Sequence, residues 1–266
     1  MAILTISREY GSGGREIGRA VAAALGYRYE DRRTVLAGLR ETHPRWERWG
    51  EEYDEHRPSL WERCDWSFRG YVALMQRILL EAAARDRVVI VGRGGNFLLA
   101  GVPTALRIRI VASHAARIER IMEREPLDRD NVRRLIWRTD RDRAGFIRAV
   151  YRRDWQDPAA FDRNYDTGLL DHGMIAKEVT GLLEQCDRID RDEIRCSIAR
   201  RVAAARVRAG LFTDPGVQLP VLEVLEEGER LLVRGVVHRP EEKTRVVSAA
   251  SALAGDVPLA FDLRYR

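Results

Sequence analysis

The sequence contains few cysteines and no long hydrophobic run. Its three cysteines, Cys64, Cys186 and Cys196, are odd in number and never stand in C-x-x-C spacing, so they indicate neither a disulfide framework nor a zinc site. No apolar run approaches the roughly 20 residues that a membrane-spanning helix needs, and the N-terminus lacks the basic and apolar segments of a secretory signal. We therefore expect a cytoplasmic protein.

Lysine is almost absent, so the positive charge of the chain is carried by arginine. Only Lys177 and Lys243 are lysines among 46 basic residues, and the formal net charge is +5. Such a balance suits an anionic ligand, either nucleic acid or a small phosphate compound. With 45% hydrophobic and 33% charged residues, the composition is typical of a globular protein, and 266 residues allow one large or two smaller domains.

The N-terminal part alternates buried-type strands with helices. Short apolar runs predict strands at 2–7, 87–91 and 106–112, and the apolar spacing of Ile17, Val21 and Leu25 predicts a helix that Gly26 ends. Strands that alternate with helices predict a parallel sheet covered on both faces.

Two further regions are predicted to be helical. One is an inserted helical subdomain before the strand at 87–91, in which four tryptophans supply core area: Trp46, Trp49, Trp61 and Trp66. The other spans 128–152, where apolar residues recur at helical spacing and arginines occupy a different face.

After residue 188 the pattern changes to helix, strand, strand, helix, strand. Pro240 fits the first position of a helix and Gly255 the position that follows its end, and the final strand at 259–265 alternates apolar and polar residues. We therefore predict two domains, 1–188 and 189–266, of which the second is a small α+β module.

A glycine-rich turn, SREYGSGGRE at 7–16, stands between the first predicted strand and helix. Such a turn binds phosphate because its backbone N–H groups and the helix dipole both point at the anion. A merely flexible connection is the alternative. The predicted phosphate cradle consists of Gly11, Ser12, Gly13, Gly14, Arg15 and Glu16.

The segment ITISREYGSGGREIGRAVAAALGYRYEDR resembles the cytidylate kinase-like family, a relative of the true cytidylate kinases among the P-loop nucleoside monophosphate kinases. The similarity continues through GRGGNFLL and TDRDRAGFIRAVYRRDWQDPAAFDRNYDTGLL and covers roughly 1–185. It implies an α/β fold: a P-loop three-layer sandwich with a parallel sheet, a helical insertion that binds the nucleoside monophosphate, and a lid. ATP and Mg²⁺ are the implied cofactors.

The loop departs from the motif G-x-x-x-x-G-K-[ST], whose lysine reaches the β and γ phosphates and whose hydroxyl binds Mg²⁺. An ungapped alignment puts Arg8 at the first glycine, Gly14 at the lysine and Arg15 at the serine or threonine. Glu16 stands where cytidylate kinases carry a threonine. We expect Arg15 to supply the missing charge as a guanidinium fork and Glu16 to be the candidate magnesium ligand.

The resemblance also implies acceptor contacts. Asp31 and Arg32 follow the second strand where the family contacts the monophosphate, and Arg93 matches the arginine of the G-R-D motif. The aspartate of that motif, which helps read cytosine, is Gly94 here, so the sequence does not secure a preference for cytosine. A purely structural arginine is the alternative for Arg93.

The predicted lid carries Asp140 and Arg143, three residues apart like the D-x-x-R of cytidylate kinases, where both side chains project toward the substrate. Arg141 and Arg148 are candidate phosphate clamps, with a solvated basic face as the alternative. Together with Arg15 and Arg143 they are the predicted catalytic cations, which act by positioning and charge neutralisation.

The C-terminal segment LLVRGVVHRPEEKTRVVSAASALAG resembles a BON domain. This resemblance implies contact with a membrane or phospholipid. The absence of an obvious basic amphipathic stripe favours the alternative, a docking or dimerisation appendage.

Three functions are compatible with these features. The first is a kinase that transfers the γ-phosphoryl group of ATP to a pyrimidine nucleoside monophosphate, with small nucleotides and no specific nucleic acid as partners. The second is a catalytically inert nucleotide-sensing or regulatory protein with a degenerate loop. The third is a nucleic-acid or membrane-surface binder driven by positive charge. The oligomeric state stays open.

Overall fold

The computed structural model describes residues 1–53, 56–189, 192–219 and 221–266. These residues belong to two compact units. The first comprises Met1–Ser59 and Arg85–Asp190, and the second comprises Leu60–Ala84 and Arg191–Arg266. Within the described ranges, no helix is both long and apolar enough to cross a membrane.

Strands and helices alternate along most of the chain. The strands are β1 (Ile3–Arg8), β2 (Arg28–Glu30), β3 (Val88–Val91), β4 (Ala105–Val111), β5 (Arg163–Asp166), β6 (Leu222–Glu227), β7 (Arg230–Val237) and β8 (Leu259–Tyr265). The helices are α1 (Gly14–Leu25), α2 (Arg32–Thr42), α3 (Pro44–Tyr53), α4 (Leu60–Cys64), α5 (Trp66–Ala84), α6 (Gly95–Leu98), α7 (His114–Arg124), α8 (Arg129–Tyr151), α9 (His172–Asp187), α10 (Asp192–Thr213) and α11 (Pro240–Leu253). A 3₁₀ turn spans Pro158–Ala160.

The first unit is built on a parallel sheet with the strand order β2-β3-β1-β4-β5. β3 is a run of four buried β-branched residues, and Ile3, Leu4 and Ile6 of β1 are also buried, as expected for strands covered on both faces. The predicted parallel sheet is confirmed. Because β1 is central, the loop that follows Arg8 lies at the middle of the carboxyl edge of the sheet.

Helices α1 and α9 pack together against this sheet. Ile17 and Val21 of α1 and Ile175 and Val179 of α9 belong to one apolar cluster with residues of β1, β3 and β4. Gly26 ends α1 in a left-handed conformation with φ of +65°, as the sequence predicts. This packing fixes the start of α1 beside the end of β1.

In the second unit, β6 and β7 are antiparallel, and β7 and β8 are parallel and connected through α11. The elements follow the predicted order. α11 begins at Pro240, and Gly255 follows its end with φ of +60°. The resemblance to a BON domain stays a prediction.

Helix α5 corrects the predicted organisation of the tryptophan-rich region. Trp46 and Trp49 lie in α3 of the first unit, whereas Leu60–Ala84 belongs to the second unit. The physical reason is that α5 packs along α10: the rings of Trp66 and Phe212 meet edge to face at 5.1 Å. The region is therefore helical but is not one subdomain, and the predicted domain 1–188 includes a helix that the structure groups with the C-terminal elements.

Candidate functional site

The glycine-rich loop joins the central strand β1 to helix α1. Gly11 and Gly13 have φ of +80° and +83°, a left-handed conformation that favours glycine. Gly13 is the N-cap of α1 and offers no side chain to cap it. Since the first N–H groups of a helix have no intrahelical partner, those of α1 remain available to a ligand, at the positive end of the helix dipole.

Neighbouring side chains also require glycine in this loop. A Cβ built on Gly13 would lie 2.3 Å from Cε1 of His172, and one built on Gly14 would lie 2.6 Å from Cβ of Arg8. Both distances are far below ordinary van der Waals contact. An imidazole and a guanidinium-bearing side chain therefore fold closely over the backbone of the loop.

An open cavity of about 580 Å³ lies against the loop and the start of α1. We call it the loop cavity. Arginines outnumber acidic residues around it, so it suits an anion. Its charged lining consists of Arg8, Arg15, Arg19, Arg120, Arg124, Arg143, Glu9, Glu16, Glu123 and Glu125, and His172 lies among them.

A network of charged side chains connects the loop to β4, α7 and α8. Asp140 of α8 accepts hydrogen bonds from the backbone N–H of Tyr10 at 2.8 Å and from Nη1 of Arg117 at 2.5 Å. Glu9 lies 3.6 Å from Arg117 and 3.5 Å from Arg109. Both arginines are buried. We call Glu9, Arg109, Arg117 and Asp140 the buried ion network.

Arg109 is the most enclosed member of this network. Its guanidinium lies 4.8 Å from the ring centre of Trp155 and donates a hydrogen bond to the carbonyl oxygen of that residue. Burial lowers the pKa of the Arg109 guanidinium, and the nearby charge of Glu9 acts in the opposite direction. The negative charge of Glu9 is thus required to compensate the buried positive charge of Arg109.

The hydroxyl groups beside the loop point inward. Ser12 is fully buried, and its Oγ donates to the carbonyl oxygens of Glu9 at 2.9 Å and Ile110 at 3.1 Å. Oγ1 of Thr167 donates to the carbonyl oxygen of Ser12 at 2.8 Å and accepts from Arg120 at 2.7 Å. Both hydroxyls brace the loop, so any contact of Ser12 with a nucleotide would come from its backbone.

A second, much smaller cavity of about 20 Å³ lies at the ends of β1 and β3. We name it the acceptor cavity after the predicted acceptor contacts Arg93 and Arg143 that line it, and it has room for about one water molecule. Arg8, Arg93, Asn96 and Arg143 line it, and Arg93 and Asn96 are each only 4% exposed. Arg8 and Arg143 line the loop cavity as well, and Nη1 of Arg143 donates to the carbonyl oxygen of Arg8 at 3.0 Å.

Comparison with protein-family models gives one decisive match, to the cytidylate kinase-like family over residues 3–168, which is well over half of the chain. The chain belongs to the cytidylate kinase-like family. A comparison with curated proteins gave no significant match.

Solved structures are similar to this cytidylate kinase-like protein at low identity. An uncharacterized protein from Eubacterium ventriosum ATCC 27560 has a TM-score of 0.54 at 17% identity, over 69% of this chain and 99% of the other, which shows the fold alone. The shikimate kinase of Bacteroides thetaiotaomicron has a TM-score of 0.43 at 17% identity, over 69% and 98%. That of Acinetobacter baumannii, in complex with shikimate, has 0.40 at 16%, over 70% and 94%.

In this family member, most of the predicted cradle lies together. Gly11, Gly13, Gly14, Arg15 and Glu16 all line the loop cavity, and the side chains of Arg15 and Glu16 are exposed. Arg93 and Arg143, the predicted acceptor contacts, meet at the acceptor cavity. The geometry is consistent with the predicted grouping, and the role of each residue stays a prediction.

Other predicted residues lie elsewhere. Arg141 lines a third cavity and stacks on the exposed ring of Trp137 at 4.8 Å, and the exposed Arg148 lines neither the loop cavity nor the acceptor cavity. The reason is helical geometry: successive residues of α8 are rotated by about 100°, so Arg141 cannot share the face of Arg143. Asp140 contributes to the buried ion network and lines neither cavity.

Asp31 and Arg32 lie at the start of α2. Asp31 is buried and caps this helix: its carboxylate accepts from the N–H of Arg33 at 2.8 Å, and its own N–H donates to Oγ1 of Thr34 at 2.9 Å. Arg32 is exposed. The structure thus gives Asp31 a capping role that competes with its predicted contact to substrate.

Two substitutions separate these roles of Asp31. Asp31→Ala should lower the free energy of unfolding by about 1 kcal/mol, because it removes the cap, whereas Asp31→Ser should keep most of that stability. If capping is the whole role, Asp31→Ser also keeps the Michaelis constant for the acceptor. Urea denaturation and steady-state kinetics measure the two effects, and a raised Michaelis constant in a stable Asp31→Ser protein would restore the substrate role.

The fit of the loop cavity to Mg²⁺ depends on its carboxylates. Among the described residues, no three or more His, Cys, Asp or Glu side chains form a ready metal cluster. Glu16, in the first turn of α1, places a carboxylate at the loop cavity, 3.9 Å from Arg124. Since Mg²⁺ is bound with nucleotides through one or two carboxylates plus phosphate oxygens, Glu16 fits as its single protein ligand.

The sequence analysis did not predict a role for four residues in or beside the loop: Arg8, Glu9, Arg117 and His172. Arg8 carried a signal, because an arginine replaces a glycine of the standard motif. Glu9, Arg117 and His172 carried none, since their contacts join distant segments of the chain.

Proposed function

We propose that the protein is a kinase that transfers the γ-phosphoryl group of ATP to a nucleoside monophosphate, with a pyrimidine as the preferred base. The observation that carries the proposal is the pair of arginine-lined cavities that share Arg8 and Arg143. A phosphoryl donor and an anionic acceptor need two adjacent, positively charged sites that share residues.

The donor phosphates bind at the loop cavity in this proposal. The N–H groups at the start of α1 contact phosphate oxygens, and the side chains of Arg8 and Arg143 neutralise the terminal phosphates. Mg²⁺, held by Glu16 and the nucleotide, supplies further charge neutralisation when bound.

The acceptor phosphate binds beside Arg93 and Arg143, where the acceptor cavity of about 20 Å³ must widen to admit it. One of its oxygens attacks the γ phosphorus of ATP in line, the bond from phosphorus to the β–γ bridging oxygen breaks, and the electron pair leaves with ADP. No general base is required, because a phosphate monoester is largely ionised at neutral pH. The protein contributes positioning and positive charge.

Release of ADP by the purified full chain tests the proposal. With ATP and Mg²⁺, we expect acceptor-dependent ADP release with at least one of CMP, dCMP, UMP and AMP. Arg143→Ala should lower kcat/KM by about tenfold to a hundredfold, because it removes a cation from both sites. Arg138→Ala is the matched control on the same helix, since Arg138 is 82% exposed. Absence of ADP release with every acceptor contradicts the proposal.

A nucleotide sensor without catalysis is the second candidate. It is favoured by Gly14, which occupies the position of the motif lysine, and by the solvent exposure of Arg15. Titration calorimetry distinguishes the two candidates: ATP binding without turnover supports the sensor.

For the second unit, the resemblance to a BON domain supports a separate proposal: this unit contacts a phospholipid surface. Sedimentation of the full chain with anionic vesicles at low ionic strength tests it, and DNA in place of vesicles tests a nucleic-acid binder. If neither is bound, charge-driven surface binding is excluded.

A further inference from the structure

We propose that Arg8, and not Arg15, performs the task of the missing loop lysine, and that it contacts donor and acceptor anions together. The inference rests on the proposed kinase function for its catalytic part. Its binding part, contact with the β and γ phosphates, stands on geometry alone and can be tested without turnover.

The first argument is the path of the Arg8 side chain. Its Cβ and Cγ lie 2.6 and 3.1 Å from the position that a Cβ on Gly14 would take, and its Nη1 lies 2.0 Å from the corresponding position on Gly92. The side chain therefore runs from the end of β1, across Gly14, to the turn after β3. It occupies the space through which a side chain at position 14 would have to leave the loop.

This path makes an arginine at position 8 and a lysine at position 14 mutually exclusive. At the positions that correspond to 8 and 14, the standard motif has glycine and lysine, respectively. This chain has arginine at position 8 and glycine at position 14. Gly14 is the first helical residue of α1 and does not have a positive φ, so crowding by Arg8 explains the glycine. The positive charge that the standard motif carries at position 14 is thus carried at position 8 in this chain.

The second argument is location. Arg8 lines both the loop cavity and the acceptor cavity, whereas Arg15 lines only the first of these two. Arg143 donates a hydrogen bond to the carbonyl oxygen of Arg8, which helps to hold that residue in place. A cation already positioned between two anion-binding sites stabilises charge that develops on the phosphoryl group in transit better than a solvent-exposed one.

Nucleotide affinity tests the binding part of the inference. In the full chain, Arg8→Ala should weaken ATP and ADP binding by about tenfold, the loss of one charge-assisted contact, and leave adenosine binding unchanged, since adenosine carries no phosphate. Arg15→Ala should leave all three affinities within about twofold. Wild-type ATP affinity in Arg8→Ala, or a larger loss in Arg15→Ala, would overturn the inference.

Substitutions at both positions, 8 and 14, give a second test. Its readout is a recovery of ATP binding, which a folding defect cannot produce. Gly14→Lys alone should weaken ATP binding, because the new side chain collides with Arg8. The double variant Arg8→Gly/Gly14→Lys rebuilds the standard arrangement, so it should bind ATP more tightly than either single variant by about tenfold. A double variant no better than the singles contradicts this shift of the positive charge from position 14 to position 8.

Turnover separates this inference from the proposed function. If the wild-type chain releases ADP, Arg8→Ala should lower kcat by about a hundredfold while Arg8→Lys retains more of it. If the wild type is inactive with every acceptor, the kinase proposal fails, and the ATP and adenosine affinities still decide whether Arg8 contacts the phosphates of ATP.

Discussion

Replacing Arg117 with methionine should lower the free energy of unfolding by about 3 to 5 kcal/mol, the cost of breaking a buried ion pair by removal of one partner. Arg117 is 8% exposed and lies within ion-pair distance of two carboxylates, those of Glu9 and Asp140. Methionine keeps the apolar stem but leaves both carboxylates without this cation. Urea denaturation monitored by circular dichroism measures the loss.

A matched substitution isolates burial from charge. Arg138→Met removes an arginine that also pairs with a carboxylate, Asp142, but is 82% exposed, so its effect should stay within about 0.5 kcal/mol. Adding Asp140→Asn to the Arg117→Met protein should recover part of the stability, because an unpaired carboxylate charge disappears, whereas Glu9 is kept because it still pairs with Arg109. Equal losses for Arg117→Met and Arg138→Met would show that the network does not stabilise the fold.

Gly13→Ala should weaken ATP binding by more than about a hundredfold, an effect larger than the loss of any one contact would give. Two costs combine at this position: φ of +83°, which an L residue rarely adopts, and a Cβ that would lie 2.3 Å from the imidazole of His172. The helix start and the imidazole must separate, which displaces the N–H groups that receive the phosphates.

Gly26 provides the control for Gly13. It also has a positive φ, +65°, but a Cβ there would meet nothing within 4 Å. Gly26→Ala should therefore lower stability by about 1 kcal/mol and leave ATP affinity unchanged. The double variant Gly13→Ala/His172→Ala removes the collision and should regain part of the affinity. If Gly13→Ala binds ATP as the wild type does, the loop is not the nucleotide site.

The parallel sheet and the glycine-rich turn between β1 and α1 could be predicted because their signals are local. Apolar runs give the strands, and glycines between a strand and a helix give the turn. The positions of Arg93 and Arg143 followed from the family motif, and the structure brings both to one cavity. Local pattern and motif were sufficient for these features.

The remaining features depend on contacts between distant segments. Leu60–Ala84 precedes β3 in the chain, but α5 of this segment packs along α10 because apolar residues on its surface need cover. Arg141 and Arg143 are both predicted catalytic cations, and only the orientation of α8 separates them. The capping by Asp31 had a signal, Thr34 three residues later, that the family motif obscured.

The carboxylate of Asp140 occupies the N–H group of Tyr10. A phosphate at the loop is therefore denied one backbone donor and must obtain more of its binding energy from guanidinium groups around an open cavity. Attraction to such charges is screened by dissolved ions, with a Debye length of about 10 Å at 0.1 M salt, whereas short contacts to backbone amides are affected less. Nucleotide affinity should consequently fall as ionic strength rises, so the protein responds to the salt of its surroundings as well as to its ligand.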